Sequence, residues 1–429
     1  MSTSIWSAEG GVSQELRLGP VAGVARRLVL DRLARFGGGT IEVQEGRERH
    51  VLGTGDSGLR ARVQVCSPRF YTAVALGGGT GAAEAYVQGW WDCDDLVTLC
   101  RIGALNLLHQ GRMDLGWSRA AAMADRLRHA LRRNTRQGSR RNIAAHYDLS
   151  NEFFALFLDR EMMYSCAVFP HAESTLEEAS FHKLELICRK LDLGPSDHLL
   201  EIGTGWGGLA LHAAGRYGCR VTTTTISAQQ AGLARQRVAQ AGLEDRVSVV
   251  MEDYRQLRGQ YDKLVSVEMI EAVGHHYYET YFRQCAALLK PEGLMLLQGI
   301  TIADWAYGPH RYAVDFIKKH IFPGSCIPSV TALGQAMAAG SDLRLVDLQE
   351  IGPHYVRTLA AWRQRFLGNL EQVRRLGFDE RFIRLWTYYL CYCQAGFQER
   401  YLGDAQLLLA KPLNRSRPAQ ERLAAPDAR

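Results

Sequence analysis

The residues best placed by type and spacing to do chemistry lie in one run: Leu199, Leu200, Glu201, Ile202, Gly203, Thr204, Gly205, Trp206, Gly207 and Gly208. The apolar part reads as a strand that passes straight into a glycine-rich turn and then a helix beginning near Leu209. Ligands of open α/β sheets bind at such junctions. Glycine at 203 and 205 lets the backbone approach a ligand closely. Glu201 offers a carboxylate to the cationic side of a zwitterionic cofactor, which favours an amino-acid-like ligand over a pyrophosphate. A lone GxG is weak, because a turn that merely shapes a strand–helix junction carries the same letters.

Context narrows the ligand. Dinucleotide sites place an acid at the end of the second strand for the ribose hydroxyls, but here that segment reads Thr222, Thr223, Thr224, Thr225, Ile226, Ser227. Hydroxyls and Gln230 have to substitute, and generic NAD chemistry loses support. Asp253 and Tyr254, after the third strand, remain to hold an adenine; a plain loop cap is the competing account of Asp253.

The elements that position these residues follow from hydrophobic patterning. Short apolar strands at His198–Ile202, Cys219–Thr225, Val247–Met251, Lys263–Glu268 and Leu294–Ile300 alternate with helices, the signature of a doubly wound, mostly parallel sheet. Leu343–Leu348 and Gln406–Lys411 supply two more strands, giving seven. Between those two lies an aromatic helical stretch with Trp362, Phe366, Phe382, Trp386, Tyr388, Tyr389, Tyr392 and Phe397, an insertion able to cap a cleft. Residues 1–137 read as a smaller α+β domain, with strands at Thr40–Val43 and Ala61–Val65, glycine clusters at 37–39 and 77–79, and a helix over Asp94–Leu108. A catalytic domain then spans 138–413, and the Pro/Ala/Arg-rich residues 414–429 are expected to be disordered.

Bulk properties exclude several classes. A chain of 429 residues, 47% hydrophobic and 22% charged, has enough material for a sizeable core, so fibrous and disordered readings fail. No apolar run reaches the roughly 20 residues of a membrane span, and the first ten residues lack the layout of a signal peptide, so a cytoplasmic location is expected. Ten cysteines without a repeated metal-ligand spacing predict reduced thiols, no disulfides and no structural metal. The net charge of +6 is modest but concentrated at Arg126, Arg128, Arg132, Arg133, Arg136, Arg140 and Arg141. That run suits an anionic surface, with a solvated linker as the plain alternative. No nucleic-acid partner is expected.

Several motifs in order resemble the cyclopropane-fatty-acyl-phospholipid synthase family, including relatives that make mid-chain methyl or methylene branches. They are Ala145–Ser150, Met163–Ala167, the turn at Glu201–Gly208, Glu268–Gly274, Ile321–Gly324 and Tyr388–Phe397. The resemblance runs from about Arg140 to Lys411, and Ala83–Trp91 looks like the family's auxiliary domain. It implies a Rossmann-like class I methyltransferase fold with helical acyl-binding insertions, and S-adenosylmethionine as the methyl donor. Tyr164 and Ser165 would contact the cofactor, with Glu201, Gly203, Gly205, Ile226, Gln230, Asp253 and Tyr254 completing the pocket. Ile226 would pack on the adenine face, and Gln230 would serve ribose or carboxylate.

The implied substrate is the cis double bond of an unsaturated phospholipid acyl chain. An isolated alkene is a poor nucleophile, so its attack on a methyl sulfonium needs a dry, aligned pocket and stabilisation of the resulting cation, a task suited to aromatic faces. Core packing is the commoner use of such rings, and Trp362, Phe366 and Trp386 receive no catalytic role. The resemblance assigns removal of the final proton to a bound bicarbonate, cradled by Glu271, Gln298, Tyr355 and the main chain near Cys166 and Ile300. Gln298 stands where many members have histidine, and an amide cannot titrate near neutrality. Glu271 beside an anion implies a shared proton and a raised pKa. Cys393 matches a family cysteine near the site, although a small buried hydrophobe explains it equally well.

Apolar residues around Phe316, Ile321 and Phe322 form an expected lid for the acyl chain. Contact with the substrate implies peripheral association with the inner face of the membrane, and a homodimer is among the assemblies the resemblance allows. Three other outcomes stay open: a methylene branch in place of a ring, methylation of a soluble small molecule, and a cofactor-binding lipid sensor.

Overall fold

A computed structural model describes residues 18–55, 57–110 and 149–424. The chain forms two compact units, each assembled from separate stretches.

The larger unit contains the sheet expected from the pattern of apolar strands. Its strands are β5 (His198–Ile202), β6 (Arg220–Thr224), β7 (Val247–Val250), β8 (Tyr261–Val267), β9 (Leu289–Ile302), β10 (Arg344–Glu350) and β11 (Leu402–Ala410). The spatial order is β10-β11-β9-β8-β5-β6-β7. The pairs β5/β6, β6/β7, β5/β8 and β8/β9 are parallel, whereas β11 runs antiparallel to both neighbours. This is the mostly parallel seven-stranded sheet of the Rossmann-like class I methyltransferases.

Both faces of that sheet are covered, which is why its central strands read as continuous apolar runs and not as alternation. Leu199, Val221, Val265 and Leu296 bury one face against Leu184, Ile187 and Leu209. Leu200, Leu264, Met295 and Leu297 bury the other against Ile270, Tyr281 and Phe282. The flanking helices include α5 (Leu176–Leu191), α6 (Gly208–Tyr217), α7 (Ala228–Gln240), α8 (Ile270–Val273) and α9 (Tyr278–Leu288). Helix α5 opens on a capping box, in which Thr175 and Glu178 satisfy each other's backbone N–H groups.

The smaller unit carries α1 (Pro20–Leu33), β1 (Thr40–Glu45), β2 (Glu48–Leu52), β3 (Arg60–Val65), α2 (Arg69–Val87), β4 (Trp91–Cys93) and α3 (Leu96–Gln110). Its four strands are ordered β2-β1-β3-β4. The glycines at 77–79, read as a loop signal, lie inside α2, where Gly78 takes a φ of 55° and kinks the helix.

Two expectations are corrected here. The boundary near 137 does not divide the chain by itself, because Ala313–Ile321 and Leu359–Tyr401 belong with the smaller unit. The aromatic stretch is divided between two helices: Trp362 and Phe366 lie in Gly352–Gly368, and Phe382 to Phe397 lie in Glu380–Gln398, which packs on α2 and α3. Arg384 donates to the carbonyls of Tyr86 and Trp91 and lies over the Tyr86 ring, while Tyr86 and Tyr388 pack at 5.7 Å. Periodicity marks that helix as amphipathic but does not say which surface its apolar face meets. The second correction concerns the tail: Ala419–Ala424 are helical, with Ala419 in the core and Arg189 donating to the carbonyls of Arg422 and Leu423. A composition rich in Pro, Ala and Arg did not reveal these anchors. The arginine run from Arg126 to Arg141 lies outside the described residues. Among the described residues no helix is long and apolar enough to cross a membrane.

Candidate active site

Strands β5 and β8 are parallel neighbours, so the glycine turn after one and the acidic segment after the other leave the same edge of the sheet. A Cβ built on Gly203 would lie 3.5 Å from the Met269 side chain, between Glu268 and Glu271 in sequence. A cofactor turn and an acid cluster are therefore adjacent.

The turn has the backbone a ligand site needs. Gly203, Gly205 and Gly207 have φ of 104°, 51° and 87°, conformations open to glycine at little cost. At Gly205 a Cβ would meet open space, whereas at Gly208 it would meet the Glu161 carbonyl and the Met163 sulfur, both at 2.8 Å. That close approach seats the start of α6 against the loop carrying Tyr164 and Ser165. Tyr164 packs edge-on against Phe154 at 5.3 Å, and Phe154 also meets Trp206 at 5.0 Å.

The other expected cofactor residues have engagements that sequence did not reveal. Glu201 faces Thr223 across the β5/β6 ladder and accepts its hydroxyl at 2.6 Å; burial pushes its carboxyl up to about 8. The threonine hydroxyls serve the protein: Thr224 donates to the Glu252 carbonyl, Thr225 to Gln230 at 2.8 Å, and Thr222 meets His198. Gln230 thus uses its amide oxygen within the protein. Asp253 accepts three hydrogen bonds from Arg255, whose guanidinium also lies over Tyr254. Ile226 is half-buried. The open backbone at Gly205, the Gln230 amide and the Tyr254 ring are groups of the kind an adenosyl amino acid requires.

Glu268 is the centre of the acid cluster. It accepts from the Cys166 backbone N–H at 2.7 Å, from the Gln298 amide at 2.9 Å and from the Tyr355 hydroxyl at 2.6 Å. Gln298 on β9 faces Gln406 on β11 in register; it accepts from Gln406 at 3.1 Å and also donates to Asp404 at 3.2 Å. Glu271 accepts the Ile300 N–H at 2.5 Å through one oxygen, and the other is buried without a partner among the described residues. Burial, reinforced by the Glu268 charge, pushes Glu271 up to about 8. Asp404 is pushed well above the carboxylate range by burial and by Glu268.

The structure brings together Cys166, Glu271, Gln298, Ile300 and Tyr355, the residues that the family resemblance named. Sequence reasoning named Glu268 only as a neighbour and missed Asp404 and Lys183. Lys183 is wholly buried, donates to Ser165 at 2.6 Å and is the cation facing Glu268 and Asp404; burial lowers its pKa. Its signal was a lysine on the apolar stripe of α5, four residues after Ala179 and four before Ile187. Cys393 belongs to the smaller unit, where burial pushes its thiol up and leaves it inert at neutral pH. Phe316, from the expected lid, is buried against Tyr388 in that same unit.

A sequence model of the mycolic acid cyclopropane synthetase family matches residues 134–407. The tuberculostearic acid methyltransferase of Mycobacterium tuberculosis is 39% identical over 77% of this chain and 78% of its own length. The cyclopropane-fatty-acyl-phospholipid synthase of Escherichia coli is 36% identical over 82% of this chain and 88% of its own. Among solved structures, a mycolic acid cyclopropane synthase in complex with SAH and CTAB aligns with a TM-score of 0.59 at 32% identity, covering 63% of this chain and 98% of that one.

Proposed function

The chain belongs to the mycolic acid cyclopropane synthetase family, and from that premise we propose that it methylates the cis double bond of an unsaturated phospholipid acyl chain and closes a cyclopropane ring. Membership makes it an S-adenosylmethionine-dependent methyltransferase of the cyclopropane-synthase type. The observation that carries the lipid reading is the adjacency of the glycine turn to a buried acid cluster, because ring closure requires a proton acceptor beside the point of methyl transfer.

S-adenosylmethionine, when bound, supplies a methyl group on an electrophilic sulfonium. The protein contributes the surroundings. Gly203 and Gly205 admit the ligand to the backbone, Phe154, Phe157, Tyr164 and Trp206 form an aromatic wall that keeps water away, and Glu271 holds a proton at the carboxyl oxygen that has no partner among the described residues. Bicarbonate does not fit this arrangement. The donors the resemblance gives it, the N–H groups of Cys166 and Ile300, the Tyr355 hydroxyl and the Gln298 amide, already serve Glu268 and Glu271. No step is routed through it.

Incubation with unsaturated phospholipid vesicles and methyl-labelled S-adenosylmethionine should add about 14 Da, one CH₂, to the acyl chains. Vesicle sedimentation tests the peripheral association with the membrane. Label on a soluble acceptor, with none on the vesicles, would overturn the lipid assignment. A second outcome, a methylene branch from the same methyl transfer, draws support from the higher identity to a tuberculostearic acid methyltransferase. Proton NMR of the product separates ring from branch.

A further inference from the structure

We propose that Glu268 is a built-in catalytic base that takes the proton released after methyl transfer, so that this enzyme works without bicarbonate. The inference rests on the methyl-transfer reading above and adds a residue to it.

Three features converge on Glu268. The first is its donor set: a backbone N–H, a side-chain amide and a phenol point at one carboxylate from three separate stretches of chain. Such convergence is how a protein cradles an anion, and here the anion is part of the chain. The second is the backbone. Glu268 has a φ of 48°, a left-handed conformation that disfavours any residue with a Cβ. Glycine would occupy the position without strain, yet a glutamate stands there, placed by that conformation in the midst of its donors. Strain of this kind concentrates at functional sites. The third is charge. Burial and the neighbouring Glu268 push the Glu271 and Asp404 carboxyls up, and Lys183 lies among Glu268, Asp159 and Asp404. Lys183 thus already has carboxyl groups of the chain around it, without an added anion.

Glu268 is half-buried, unlike Asp404 and Gln298, which are fully enclosed. Glu271 is half-buried as well, but one of its oxygens is taken by the Ile300 N–H and the other is buried, so Glu268 is the carboxylate to which the proton is assigned. In the step assigned to it, a C–H bond of the alkylated cation breaks and its electron pair forms the last ring bond or, in the alternative outcome, the methylene double bond. The proton moves to Glu268, which becomes a neutral acid and returns it to water when product leaves. Tyr355 and Gln298 are positioning residues that hold the carboxylate.

The test compares wild type, Glu268→Gln and Glu268→Gly on phosphatidylglycerol vesicles with oleoyl chains, in buffer stripped of carbon dioxide or supplied with bicarbonate. Wild type should turn over equally, within about twofold, in both buffers, and Glu268→Gln should lose about 100-fold or more in both. Glu268→Gly suits the backbone and so should fold; it empties the cradle, and bicarbonate should restore at least about tenfold of its lost turnover. Bicarbonate should also raise the melting temperature of Glu268→Gly and leave that of wild type unmoved. Wild-type turnover that collapses without bicarbonate, or Glu268→Gln with near-normal turnover, overturns the proposal. If wild type labels no vesicle lipid in either buffer, the lipid reading fails, and the melting measurements still decide the cradle: a wild-type shift equal to that of Glu268→Gly refutes it.

Discussion

Glu271 reaches the backbone N–H of Ile300 with one carboxyl oxygen, at 2.5 Å, and keeps the other buried without a partner among the described residues. A carboxyl so placed carries its proton near neutrality, held up to about 8 by burial and by Glu268. Glu271→Gln preserves the shape and the acceptor for Ile300 but cannot exchange that proton. Turnover should fall by roughly 100-fold, with cofactor affinity unchanged by calorimetry. Unchanged turnover would remove Glu271 from the proton path.

Glu201 predicts a pH dependence of stability. Its carboxyl is raised from 4.5 to about 8 in the folded protein, so between those values the native state binds a proton that the unfolded chain has released. The contribution is full below about 4.5 and is lost as pH rises toward about 8, a sign opposite to that of a salt-bridged carboxylate. Glu201→Gln should flatten the fall in denaturant midpoint across that window, where the wild-type change is on the order of a few kcal/mol. An unaltered slope would show that Glu201 is ionised throughout.

Gly208→Ala tests the seat of the cofactor loop. The added methyl would meet the Glu161 carbonyl and the Met163 sulfur at 2.8 Å, too close for either to remain. Overpacking of this sort costs about 1–3 kcal/mol, and it displaces the loop bearing Tyr164 and Ser165. The affinity for S-adenosylmethionine should drop by about tenfold or more; equal affinity would show that the loop adjusts freely.

Arg384 clips two segments of the smaller unit together through the carbonyls of Tyr86 and Trp91, with Asp92 at 3.3 Å and the Tyr86 ring beneath the guanidinium. Arg384→Ala should destabilise that unit by about 2–3 kcal/mol, read as faster amide exchange in α2 and in Glu380–Gln398. Exchange that is unchanged there would mean the apolar contacts suffice.

The sheet was legible because strands buried on both faces announce themselves as apolar runs; His198–Ile202 is the strand expected and the strand observed. The ends of strands were harder. β11 starts at Leu402, four residues before the expected Gln406, and Asp404 falls in that gap. Its burial depends on pairing with β9, a contact between residues over a hundred positions apart. Glu268 stood in plain view at the end of an expected strand, but an acid there looks like any solvent-facing strand end. What distinguishes it is the convergence of Cys166, Gln298 and Tyr355, and that is a property of the folded chain.

The smaller unit is drawn from stretches that the ribosome releases far apart in time. The surface that α2 and α3 offer to Glu380–Gln398 is complete once residue 110 has emerged, yet its partner follows some 270 residues later. At synthesis rates of about 5–20 residues per second, that apolar surface waits for tens of seconds at the slower end. The nascent chain therefore passes through an interval of exposure, and a fragment cut near residue 137 would be held in it permanently.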